Sequence, residues 1–152
     1  DGFRGTVFRQ TMFAEFEHLI HEMDAKGEAI TADKLTTVYY ELNKKYFGDA
    51  MTIDEEIGLE WARIPHFYYN YYVYQYATGQ SAATALSKQI LEEGQLAVDR
   101  YINNFLKAGC SDFPIEVLKA AGVDMESPEP IALACKVFEE KLEELEKLLL
   151  NN

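Results

Sequence analysis

The sequence has little positive charge. Its 152 residues carry 14 Lys and Arg against 26 Asp and Glu, a net charge of −12 at pH 7. Phosphate backbones are gripped by basic footprints, and none is present, so nucleic acid is not an expected partner. No run of about 18 apolar residues occurs, so neither a membrane-spanning helix nor a membrane partner is expected. The opening stretch DGFRGTVFRQ lacks the apolar core and cleavage site of a signal peptide. Two cysteines, Cys110 and Cys135, make no disulfide framework; they read as reduced thiols of a cytoplasmic protein, with a single bridge as the alternative. A G-x-S-x-G elbow, a P-loop, a G-x-G-x-x-G turn and an H-E-x-x-H pair are all missing.

What is present is helical patterning from end to end. Val7, Phe8, Met12, Phe16, Leu19, Ile20 and Met23 follow one helical face that Gly27 closes. Thr31 is placed to cap a second helix carrying Leu35, Val38, Tyr39 and Leu42 up to Gly48. A short third helix is expected over Asp54 to Trp61, with acids in its first turn. After Pro65 a long helix is predicted from His66 to Glu93, with Gly79, Ser81, Ala82, Ala83 and Ala85 forming a narrow stretch against which another helix packs closely. Further helices are expected from Leu96 to Gly109, from Pro114 to Gly122, and from the cap Ser127 with Pro128 in its first position onwards. No segment alternates as a strand, so the expected fold is all-α: a single helical domain over 1–152, built as a bundle with short connections. Phe3, Val7, Phe8 and Phe13 are apolar from the outset and no initiator Met is present, so Asp1 is expected to lie inside a longer polypeptide.

Three histidines are available for chemistry. His18 and His21, in EFEHLIHEM, share a helix face with Glu22, but the order matches neither H-E-x-x-H nor its inverse, and they read as surface or half-buried side chains. Cys110, in AGCSDFP, has no His partner in sequence. The third histidine opens the most unusual string, PHFYYNYYVYQYATG: of the nine residues from Tyr68 to Tyr76, six are tyrosine, out of ten in the chain. On a continuous helix His66, Asn70 and Tyr74 would share one stripe, Phe67, Tyr71 and Tyr74 a second, and Tyr68, Tyr72 and Tyr76 a third. Aromatics at such spacing usually fill a core. A core needs no hydroxyls, however, and each buried phenol must find a partner or reach water. Phenol and imidazole donors along one side suit a developing oxyanion or a bound peptide backbone.

Four strings, DGFRGTVFRQTMFAEFEHLIHE, IPHFYYNYYVYQYATG, LKAGCSDFPIEVLKAAGVDM and SPEPI, resemble the C-terminal part of oligoendopeptidase F, within the thimet-oligopeptidase-like zinc metallopeptidases. The resemblance runs from Asp1 to about Leu149. It implies a largely helical closed shell around a channel for short peptides, and a zinc ion held in the intact enzyme by H-E-x-x-H and a further Glu. Those ligands are not in this chain and would lie upstream of Asp1, in the zinc-bearing part of the same protein. By the same resemblance, Tyr74 is the first candidate oxyanion donor, with His66 and Tyr71 as further catalytic candidates. Tyr68, Tyr72 and Asn70 are candidates for binding substrate, and no residue is assigned to metal. The tyrosines are thus expected to serve partly as core and partly as donors, while Arg9 and Glu15 read as structural rather than as supports of the site. Two other readings remain open: a stand-alone, non-catalytic helical module that binds peptides, and an oligomer built on a seam of Val137, Phe138, Leu142, Leu145 and Leu149. Burial of that seam against the chain's own core is the simpler expectation.

Overall fold

The computed structural model describes residues 1–150, which contain helices and no strand. The chain divides into two compact units, the first spanning Asp1–Ala77 and the second beginning at Thr78.

In the first unit a π-helical turn, Arg4–Phe8, leads into α1, Arg9–Ala25. Helix α2, Ala32–Phe47, begins where the sequence places its cap: the Thr31 side chain accepts the Lys34 N–H at 3.3 Å. Asp33 in its first turn and Lys44 and Lys45 in its last suit the helix dipole. Met12, Phe13 and Phe16 of α1 pack on Tyr39 and Leu42 of α2, joined by Ile64 and Val73. Phe67 reaches into this cluster, with ring centroids 5.0 Å from Phe16 and 5.6 Å from Phe13.

The short third helix is 3₁₀ rather than α and runs Glu55–Arg63. It lies tightly on α2: a Cβ at Gly58 would come within 2.9 Å of the Thr36 Cγ2, so only glycine fits there. One turn on, the Trp61 indole donates to Thr36 Oγ1 at 3.2 Å. The same helix carries Glu60, a buried carboxylate that accepts from Tyr39 at 2.6 Å and from Arg9 at 2.6 Å, and also pairs with Arg63. Burial pushes the Glu60 carboxyl up, but the hydrogen bonds from Tyr39 and Arg9 and the two guanidinium charges outweigh it, leaving its pKa below the usual value. Arg9 also covers the Phe13 ring at 4.6 Å. Glu15 is held by Lys45 at 2.5 Å and Tyr46 at 2.7 Å. Arg9 and Glu15 are both tied into the packing of the unit.

Helix α3, Tyr74–Glu93, starts eight residues later than the sequence pattern suggests. Its predicted beginning, from His66, is instead a single 3₁₀ turn, Pro65–Tyr68, followed by an irregular passage over 69–73. The three predicted stripes of tyrosines therefore do not exist as helical stripes.

In the second unit only part of the small stretch of α3 is packed: Ser81, Ala82 and Ala85 are buried, while Gly79 and Ala83 are exposed and nothing lies within 4 Å of a Cβ at Gly79. Ala82, Ala85 and Leu86 are buried against Ala121 and Val123, with Tyr101, Phe105, Leu118, Met125 and Leu133 around them. Helix α4, Gln95–Tyr101, continues through a π-helical turn, Ile102–Leu106; α5, Pro114–Ala120, and α6, Glu129–Leu150, follow. Ser127 caps α6 by accepting the Glu129 N–H at 3.1 Å. Arg100 ties the unit together, donating to the Ala121 carbonyl at 3.1 Å, Gln89 at 3.0 Å and Glu93 at 2.9 Å. The seam of α6 departs from expectation: Leu142, Leu145 and Leu149 are exposed rather than buried. Cys110 and Cys135 are free and exposed.

Candidate active site

The unusual string PHFYYNYYVYQY folds as a turn between the 3₁₀ segment and α3. Pro65 fixes the backbone at the first position of the 3₁₀ turn. Asn70 and Tyr71 then adopt left-handed backbone angles, with φ of 49° and 62°. Asn tolerates this region; for a bulky aromatic such as Tyr71 it costs about 1–2 kcal/mol and persists only where neighbours impose it. Two neighbours do so here. The Tyr71 N–H donates to Glu17 Oε1 at 2.8 Å, and Glu17 is only 1% exposed. The Tyr71 ring stacks on His21, one helical turn beyond Glu17, at a centroid distance of 4.4 Å. Val73, fully buried in the core, pins the far end of the turn.

This geometry turns most of the tyrosines outward. Tyr68, Tyr69, Tyr71, Tyr72 and Tyr74 are all exposed, Tyr68 most of all at 77%, while Tyr76 is half-buried. The core role expected of some of them falls to Phe67 and Val73 instead. Four rings gather at the middle of the surface. His66 lies parallel to Tyr72 at 5.9 Å and edge-on to Tyr69 at 5.8 Å and Tyr76 at 5.7 Å. Its Nε2 is 3.2 Å from the Tyr76 hydroxyl. The Tyr76 phenol has its pKa raised, first by hydrogen bonding with Tyr72 and then by burial and its other phenol neighbour, Tyr69. It therefore remains a neutral donor across the physiological range.

Of the six residues singled out from the sequence, His66 and Tyr72 belong to the four-ring cluster and Tyr71 stacks on His21; Tyr68 and Asn70 are exposed positions of the turn, and Tyr74 is exposed at the start of α3. Glu17 was not singled out. Its signal was present: it falls among Phe13, Phe16 and Ile20 on the apolar face of α1, where a charge needs a partner. His18 is exposed, 3.6 Å from Glu22. Among the described residues no group of three or more His, Cys, Asp or Glu is placed to hold a metal ion, and no helix is long and apolar enough to cross a membrane.

The chain is all-α, with imidazole and phenol rings gathered on one turn. The family model "Peptidase family M3" matches residues 2–137, and the chain belongs to that family, which is one of metallopeptidases. The relatives are oligopeptidases by name. Oligopeptidase PepF of Bacillus subtilis is 75% identical over 150 residues, covering 99% of this chain and 22% of that protein. Group B oligopeptidase PepB of Streptococcus agalactiae is 52% identical, covering 98% of this chain and 25% of its own length. The crystal structure of oligoendopeptidase-F from Enterococcus faecium superposes with a TM-score of 0.96 at 55% identity, over 100% of this chain and 29% of that one. The chain thus spans about a quarter of the length of the relatives it matches. The metal that the family implies does not fit the donor set of these residues, since no three ligands converge among them.

Proposed function

We propose that residues 66–76 form a substrate-facing wall of a zinc oligopeptidase that cleaves short peptides, and that the described helices are the C-terminal part of its closed-shell catalytic domain. The observation that carries this reading is the exposed turn itself: phenols and one imidazole gathered on a backbone that Glu17 ties to α1, with most of the rings open to solvent. A peptide offers carbonyl acceptors, and the oxygen that gains charge during hydrolysis gains most from such donors. Tyr74 is the leading oxyanion donor, followed by His66 and Tyr71; Tyr68, Asn70 and Tyr72 contact the substrate chain. Zinc belongs to the upstream part of the same protein, which is this chain's main partner. The two free thiols favour a reducing, cytoplasmic setting.

The test is Tyr74→Phe in the full-length enzyme, assayed on an internally quenched peptide. Loss of one oxyanion donor lowers kcat by about 10²–10³-fold, with bound zinc unchanged. Near-normal turnover would sink the assignment. Peptide binding by the wild-type protein without any cleavage would favour the alternative of a non-catalytic binding module.

A further inference from the structure

The tyrosine turn is not held by its own sequence alone, although Val73 anchors its far end in the core. Between Tyr68 and Tyr74 there is no glycine or proline, and two consecutive non-glycine residues are left-handed. What reaches the turn comes from the middle of α1. Glu17 points from the apolar face of that helix, among Met12, Phe13 and Phe16, with its carboxylate on the Tyr71 N–H. A charged side chain is seldom placed in such a position unless it has a specific acceptor task. His21, four residues further along the same helix, covers the Tyr71 ring.

We propose that Glu17 is the positioning residue of the tyrosine turn: its carboxylate fixes the Tyr71 backbone in the left-handed region and thereby sets the direction in which the neighbouring phenols face. The hydrogen bond is charge-assisted and sheltered, the kind that holds a backbone angle the chain would not otherwise choose. His21 acts with it, as a flat rest for the ring. Asn70, left-handed at lower cost, permits the reversal. Without Glu17 the preferred local structure of YYNYYVYQY is the continuous helix that its spacing suggests, with the phenols redistributed around it.

The part of this inference that concerns catalysis rests on the reading of the turn as the substrate-facing wall. The experiment separates the two. In the full-length protein, Glu17→Leu removes the acceptor at similar volume, and Glu17→Gln keeps a carbonyl acceptor. Hydrogen exchange is followed in the peptide covering 69–73 and in a peptide from α2 around Tyr39, alongside kcat and KM on an internally quenched peptide. In Glu17→Leu, exchange over 69–73 accelerates by about ten- to hundredfold, the worth of a charged hydrogen bond, while α2 keeps its protection and kcat falls. Glu17→Gln restores most of both. Unchanged exchange over 69–73 overturns the proposal. So does an equal loss of protection in α2 and in the turn that Glu17→Gln fails to rescue, since Glu17 would then be an ordinary core residue. Loss of protection in the turn with turnover unaffected leaves Glu17 as its positioning residue and sinks the substrate-wall reading instead.

Discussion

The hydroxyl of Tyr39 and the carboxylate of Glu60 meet at 2.6 Å in the interior of the first unit, 21 residues apart in sequence. Tyr39 is fully buried, and Glu60 also answers to Arg9 and Arg63. Tyr39→Phe keeps the ring in the core and removes only the donor. It is expected to cost about 1–3 kcal/mol, because the carboxylate loses one of its sheltered hydrogen bonds. Urea unfolding checks this; a midpoint unmoved from wild type would mean that Arg9 and Arg63 alone satisfy Glu60.

The same pair sets how stability responds to pH at both ends of the scale. The folded pKa of Glu60 lies below its usual 4.5, as does that of Glu15, which Lys45 and Tyr46 hold ionised. A depressed carboxyl contributes stability above its unfolded value and loses it as pH falls through the folded one. Unfolding by acid should therefore begin below about pH 4.5, and Glu60→Gln should flatten the curve there. Tyr39 and Tyr46 shift the other way, raised first by burial and then by their carboxylate partners. Their folded states hold the phenolic proton longer than the unfolded chain does. Their contribution is complete below the ordinary tyrosine value of about 10 and is lost as pH rises beyond it. Thermal melts from pH 3 to 11 would show both flanks.

Val73→Ala should destabilise the chain by about 2 kcal/mol, from two lost methyl groups and the space they leave. Val73 is wholly buried with Phe16 and Tyr39 around it, in the passage that leads into α3. Chemical denaturation gives the stability change. Exchange over 69–73 should also rise, since this anchor and Glu17 hold opposite sides of the same turn.

Gly122→Ala should destabilise by about 1–2 kcal/mol from backbone strain alone. Gly122 has a φ of +98°, and a Cβ there would meet Arg100 Nε at 2.8 Å and Gln89 Oε1 at 3.1 Å. The added methyl would also push aside the side chains that bind the Ala121 and Gly122 carbonyls. A melting temperature equal to wild type would show that Arg100 moves away freely.

Helix ends were legible because their causes are local. Thr31 and Ser127 cap within three residues, and the small face of α3 packs where Ala82 and Ala85 place it. The break inside PHFYYNYYVYQY was not legible, for the opposite reason. Its cause, Glu17, lies 54 residues away from Tyr71, and helical spacing of the tyrosines gave a stronger local signal than Asn70 gave against it. The same holds for Glu60, whose partner Arg9 is 51 residues distant. The run of phenols itself is conspicuous in the sequence whatever backbone carries it, but which way each ring faces is set by the turn. The leucines of α6 show the limit of periodicity: a heptad-like spacing identifies an apolar face but not whether anything covers it.

Along an unbroken helix, His66 and Tyr76 would sit about 15 Å apart; the reversal at Asn70 and Tyr71 brings their polar atoms to 3.2 Å. The surface is thus encoded by chain length more than by lettering. Exchanging one ring for another edits a single donor and leaves the rest in register. Adding or removing one residue between Tyr69 and Val73 would turn every ring beyond it to a new bearing, so this stretch should accept spelling changes and reject insertions.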